Sequence, residues 1–206
     1  MIDYHIKQIK FTLAKEYIKN NHYSHGCHNG ASPCFGLYDG QNLIGVLMFA
    51  TPCSEMVRSS IFGEEYKQSV IELHRLHILD GTPKNTESWF ISRCLKLLKE
   101  IRPHIWAVLT FADQTEGHNG TIYKATNALR LGASTKRTFY LDETGRLRHP
   151  RQSGKNISKQ EAEKMGWTPV KREGKFRFMW LLPDDKRHKK ELNELSKDYI
   201  EKHSQK

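Results

Sequence analysis

Apolar positions along the chain keep two different rhythms, and the changes of rhythm outline its elements. Ile2, Ile6, Ile9 and Phe11 suggest an opening strand, after which Thr12 caps a helix carrying Leu13, Tyr17 and Ile18 on one face. Phe35 to Tyr38 and Leu43 to Phe49 flank Asp39-Gly40-Gln41-Asn42, the turn chemistry of a hairpin. From Val70 to Ile78 apolar residues alternate with polar or ionisable ones, a half-buried strand with Glu72, His74 and His77 as candidates to point off the core. The breaker Asp80-Gly81-Thr82-Pro83 follows. Phe90, Ile91, Cys94, Leu95, Leu97, Leu98 and Ile101 then fall at helical spacing, with Thr86, Glu87 and Ser88 near the start and Pro103 past the end. Ile105 to Ala112 is a continuous apolar run of strand length, the pattern of a strand covered on both faces, and it stops at Asp113.

Beyond a polar loop from Gln114 to Gly120, Ile122, Ala125 and Leu129 predict a helix closed by Gly132 as its C-terminal cap. Thr138 to Leu141, the turn Asp142-Glu143-Thr144-Gly145 and a late strand from Phe176 to Leu182 complete the sheet; before the last, Ser158 opens a short helix with Glu161 in capping-box register. This is an α/β order around one mixed sheet. The strands ending near Ile78 and at Asp113 are expected side by side, splayed at their carboxyl ends where open sheets bind ligands. The order resembles the GNAT acyltransferase fold, a mixed central sheet flanked by helices. A single catalytic domain is expected over residues 1–183, with a basic insertion at 146–175 and a charged, mildly helical extension at 184–206.

Charge adds a partner to this picture. The 206 residues carry 33 Lys and Arg against 23 Asp and Glu, a net charge of +10. Residues 134–206 hold 19 of those basic side chains against 11 acidic ones, while residues 1–133 hold 14 against 12. A near-neutral core with a basic appendage favours a polyanion, nucleic acid before an anionic membrane surface. With 27% charged residues and no run of roughly 20 apolar ones, a membrane-spanning protein is not expected. Cys27, Cys34, Cys53 and Cys94 form no CxxC pair and the chain opens without an apolar signal segment, so an intracellular, reduced protein is expected. His22-Tyr23-Ser24-His25-Gly26-Cys27-His28 is dense in metal-ligand types, yet its spacing matches no structural zinc pattern.

Phe111-Ala112-Asp113-Gln114-Thr115-Glu116-Gly117-His118-Asn119-Gly120-Thr121-Ile122-Tyr123-Lys124-Ala125, with Glu72-Leu73-His74-Arg75-Leu76 and His22-Tyr23-Ser24 before it, resembles the Mom family of phage DNA-modification proteins. The likeness covers about residues 20 to 155. It implies a GNAT-like transferase, in the cytoplasm of a bacterial host cell, that places a carbamoylmethyl (acetamido) group on N6 of adenine in DNA and protects that DNA from restriction. Carried over residue by residue, the family's active-site positions fall on His22, Tyr23, Arg75, Asp113 and Tyr123, with Ser88 a weaker transfer. Where a GNAT enzyme carries a glycine-rich loop for the CoA pyrophosphate, this chain has Asp80-Gly81-Thr82-Pro83-Lys84-Asn85-Thr86-Glu87-Ser88. That departure leaves acetyl-CoA in doubt as the donor and another acyl donor open, although a helix N-terminus with Lys84 and Ser88 is suited to a phosphate.

Elementary chemistry assigns these residues expected roles. Asp113, at a strand's end, accepts the N6–H hydrogen bond and holds the base; Tyr123 protonates a leaving group, its alternative being an ordinary core tyrosine. Arg75 pins a phosphate or carboxylate through its planar fork, or pairs with Glu72. Tyr23 stacks on a flipped base, and His22 acts as a base or, with Asp113, as a ligand for iron or a similar divalent ion. The partner is then double-stranded DNA with a flipped adenine, its phosphates tracked by Arg146, Arg148, Arg151 and Lys155. An acyl-CoA-dependent acyltransferase acting on a small amine or protein, and a DNA-binding protein without chemistry, are the competing readings. Oligomeric state stays open, a homodimer included.

Overall fold

The computed structural model describes residues 4–152 and 155–204. Ile2 of the expected opening strand, Ser153 and Gly154 of the basic stretch, and Gln205 and Lys206 of the tail lie outside the described residues. In chain order the elements are β1 (Tyr4–Ile9), α1 (Phe11–Asn21), β2 (Cys34–Asp39), β3 (Asn42–Ala50), α2 (Glu55–Phe62), β4 (Val70–Ile78), α3 (Thr86–Ile101), β5 (Ala107–Asp113) and α4 (Thr121–Lys124). There follow β6 (Leu129–Ala133), β7 (Arg137–Leu141), β8 (Leu147–Arg148), β9 (Arg151–Gln152), β10 (Lys155–Asn156), α5 (Lys159–Lys164), β11 (Thr168–Arg172), β12 (Lys175–Leu181), α6 (Lys186–Leu195) and α7 (Lys197–Ser204).

Seven strands form the central sheet in the order β1-β2-β3-β4-β5-β12-β6. Neighbours run antiparallel except β4 and β5, which are parallel and joined by the crossover through α3. Its buried face, Phe90, Ile91, Cys94, Leu95 and Leu98, packs against Phe35, Leu47, Phe49, Leu73 and Val108 of the sheet. On a second apolar cluster, Ala14, Tyr17 and Ile18 of α1 meet Val46 and Met48 of β3. All four cysteines are free, and among the described residues no helix is long and apolar enough to cross a membrane.

Three expectations need correction. The helix predicted from Ile122 through Leu129 ends at Lys124, because Asn127 turns the backbone left-handed (φ 61°) and Leu129–Ala133 continue as the edge strand β6. Gly132 is therefore not a helix cap; it lies, with φ 64°, inside that strand next to the register shift against β12. Thr12 does not cap α1, which starts two residues earlier than that cap would place it, at Phe11, with Lys10 at the cap position and no side-chain cap. The charged extension also has a packing role: Leu192 and Tyr199 of α6 and α7 are buried against Ile61, Leu131 and Met179.

Candidate active site

β4 and β5 pair only from Val70–Ala107 to Glu72–Leu109, and beyond that point the strands part. The gap opens into a cleft of about 470 Å³ lined by β4 from Glu72 to Ile78, by Thr110, Phe111 and Ala112 of β5, and by the loop leading into α4. Tyr123 is set into the wall. Its ring is 9% exposed and packs at 5.4 Å from Phe178 and 5.7 Å from Trp180. Burial pushes the Tyr123 hydroxyl above the usual tyrosine value, a hydrogen bond with Thr110 opposing it, so the group stays protonated at neutral pH. Gly120 makes this packing feasible: at φ 74° a side-chain carbon there would stand 2.2 Å from the Phe178 ring.

The loop after α1 brings His22 and Tyr23 to the same cleft. Tyr23 lies 4.3 Å from the His22 ring and 5.6 Å, edge to face, from His118 of the opposite loop; it is 45% exposed. His22 is buried, and its Nδ1 accepts a hydrogen bond from the Ser24 backbone N–H at 3.0 Å and faces the Ser24 hydroxyl at 2.8 Å. Burial first, with Arg75 and neighbouring histidines adding to it, takes its pKa down to about 3, so the ring is neutral and its proton sits on Nε2. A metal bound at Nε2 would require the other neutral tautomer, with Nδ1–H facing Ser24 Oγ at 2.8 Å. Among the described residues no group of three His, Cys, Asp or Glu side chains is placed to hold an ion, and Asp113, the expected second ligand, is held by cations.

Arg75 lines the cleft with its Nε donating to Gly26 O at 2.8 Å and Nη1 to His74 O at 2.7 Å. The alternative ion pair with Glu72 does not form. Glu72 instead faces His74 Nδ1 at 3.4 Å, while His74 Nε2 accepts from the His28 backbone N–H at 2.9 Å, which puts the His74 proton on Nδ1. Arg75 is thus a largely buried cation with no carboxylate within ion-pair distance among the described residues.

Asp113 sits beside this cleft rather than in its lining. Its Oδ2 lies 3.3 Å from Arg172 Nη2 and 3.2 Å from Lys175 Nζ, and its Oδ1 accepts from the Thr115 N–H at 3.1 Å. Burial alone would raise its pKa, but Lys175, Arg172 and the Thr115 N–H outweigh burial and hold the carboxyl below its usual value. The same β11–β12 hairpin grips the loop again through Arg172 to Glu116 at 2.6 Å, Gln114 Nε2 to Gly174 O at 2.6 Å, and the Glu173 N–H to Thr115 Oγ1 at 3.0 Å. Nothing in the sequence announced Arg172 and Lys175, about 60 residues from their partner.

The remaining expected positions lie elsewhere. Lys84 borders a separate cavity with Tyr4, Pro83 and Trp89, and Ser88 Oγ donates to Asn85 O at 3.0 Å within the first turn of α3. Neither lines the main cleft, where Asp80 and Glu87 are found instead. Arg146 and Lys155 are exposed. Arg148 is paired within its own turn: its Nε and Nη2 both lie 2.7 Å from Asp142 Oδ2, and Asp142 Oδ1 closes the turn by accepting from the Thr144 and Arg146 N–H groups. The Arg151 backbone N–H donates to His149 Nδ1 at 2.9 Å.

A sequence profile of the Mom protein family matches residues 3–201, well past the stretch over which the likeness is legible by eye. The chain belongs to the Mom family. A relative from Escherichia phage Mu, named methylcarbamoylase mom, is 31% identical over 135 residues, covering 66% of this chain and 56% of the Mu protein's length. Among solved structures the Mom-family chain is similar to the ribosomal-protein-S5-alanine acetyltransferase of Vibrio fischeri, with TM-score 0.51, 9% identity and coverage of 89% and 96% of the two chains. It is also similar to a Salmonella typhimurium protein assigned as an acetyltransferase and solved with acetyl-CoA, with TM-score 0.50, 8% identity and coverage of 89% and 96%. At such identities these likenesses establish the fold, the GNAT architecture of a mixed sheet splayed between β4 and β5.

Proposed function

We propose that this chain is a DNA-modifying transferase that adds a carbamoylmethyl group to N6 of adenine and so protects phage-type DNA from restriction. The observation that carries the reading is the convergence of His22, Tyr23, Arg75 and Tyr123, from three separate segments of a Mom-family chain, in one cleft. The name of the Mu relative supports the reaction type.

N6 of adenine is a weak nucleophile because its lone pair is delocalised into the ring, so the enzyme must orient it and remove a proton as the new bond forms. The exposed Tyr23 ring supplies a stacking surface for a base drawn out of the duplex. Arg75, half-buried and without a carboxylate in ion-pair reach among the described residues, takes an anion of the nucleotide or of the donor. The N6 proton goes to Glu72, the cleft carboxylate that faces His74 Nδ1 and has no Lys or Arg within ion-pair distance among the described residues, and not to Asp113, whose lone pairs already serve two cations. Asp113 positions the loop. Tyr123, protonated at neutral pH, donates to the leaving group.

Acetyl-CoA does not fit as the donor. A pyrophosphate at the β4–α3 turn would meet the carboxylates of Asp80 and Glu87 in the cleft lining, while Lys84 borders a different cavity. A donor with another anchoring group is therefore part of the proposal. Double-stranded DNA is the partner, with Arg146 and Lys155 as exposed phosphate contacts. Plasmid DNA from cells expressing the chain is expected to resist endonucleases that require unmodified adenine in their sites. Complete cleavage of that DNA contradicts the reading.

A further inference from the structure

His77 is the cleft group that no role above absorbs. It lines the cleft from β4 beside Asp80, and its ring stands 6.3 Å from that of His22. Its Nδ1 lies 3.3 Å from the Tyr17 hydroxyl, which is itself 2.8 Å from the carbonyl of Ile44. A carbonyl cannot donate, so the single Tyr17 hydrogen goes to Ile44 O. The hydroxyl then satisfies Nδ1 only by accepting, which puts the His77 proton on Nδ1 and leaves a bare lone pair on Nε2. Burial lowers the pKa of this ring, Asp80 opposing it, and keeps it neutral; burial likewise raises Tyr17 to about 12, so the phenol keeps its proton. Neither His22 Nε2 nor His77 Nε2 has a protein partner among the described residues.

Two neighbouring neutral imidazoles are thus fixed in opposite senses. His22 offers a donor at Nε2 because the Ser24 N–H occupies its Nδ1; His77 offers an acceptor because the Tyr17–Ile44 relay occupies its Nδ1. We infer that His22 and His77 form a donor–acceptor pair that reads the amino edge of a nucleobase, where a ring nitrogen acceptor lies beside an exocyclic amine. Adenine presents that edge through N6–H and N1 or N7. Hypoxanthine replaces the amine with a carbonyl, which sets lone pair against lone pair at His77. This inference rests on the proposed action at adenine and names the residues that select it. The second N6 hydrogen is left for Glu72.

The test is binding of the full chain to single-stranded oligonucleotides of one sequence that differ at a central adenine or hypoxanthine. The wild-type protein is expected to favour adenine about ten-fold, the scale of one good base-edge pair. His77→Phe should bring the ratio to about one, by weakening adenine and relieving the repulsion of hypoxanthine. Tyr17→Phe, which keeps the ring but releases the His77 tautomer, should narrow the ratio by tightening hypoxanthine. DNA binding without discrimination in the wild type, or a full ratio surviving in His77→Phe, overturns the pairing while leaving the transferase reading standing. No binding to either oligonucleotide overturns both.

Discussion

Asp113 and Glu72 are carboxylates of adjacent strands, and what each touches separates their work. Asp113 holds Arg172 and Lys175, so its folded pKa lies below the unfolded value of about 3.9. A depressed carboxylate stabilises the fold above the unfolded pKa and loses that contribution as pH falls through the folded one. Asp113→Asn is expected to cost about 1–3 kcal/mol in urea unfolding at pH 7, the gap to wild type closing below about pH 4. A gap independent of pH contradicts the ion-pair account. Glu72→Gln should leave the unfolding midpoint within roughly 0.5 kcal/mol of wild type, as for a substitution that breaks no strong pair, and abolish DNA protection. The same sequence logic made both residues visible, an ionisable side chain on an apolar strand; it could not rank them, because the ranking depends on Arg172 and Lys175.

At the scale of elements, the β11–β12 hairpin is a brace for the loop after β5. Its turn has no room for a side chain: a carbon added at Gly174 would lie 1.7 Å from Ser134 O. Gly174→Ala should therefore shift the hairpin, cost about 3 kcal/mol in thermal or urea unfolding, and reduce modification although it touches no cleft residue. Unchanged stability would remove the brace. Most of the sheet was legible because β4 alternates, β5 is apolar throughout and α3 repeats at helical spacing. The β6 strand was not, since Ile122, Ala125 and Leu129 share helical spacing by coincidence and only the left-handed Asn127 breaks it. The pairing of Arg148 was not legible for a related reason: a basic side chain in a turn reads the same whatever it faces, here Asp142.

For the whole molecule, the net charge of +10 is divided between structure and surface. Part of the basic second half is committed to Asp113, Glu116 and Asp142, and α6 turns its Leu192 into the core. Arg146 and Lys155 remain exposed, so the double variant Arg146→Ala, Lys155→Ala should reduce the slope of log affinity against log salt by about 2 with no change in fold. An unchanged slope places the DNA on another face. The claim on which the rest depends is the adduct. Mass spectrometry of nucleosides from DNA of cells expressing the wild-type chain should show deoxyadenosine carrying one carbamoylmethyl group, and the Tyr123→Phe chain, expressed to the same level, should show none. Unmodified deoxyadenosine throughout the wild-type sample would contradict the account.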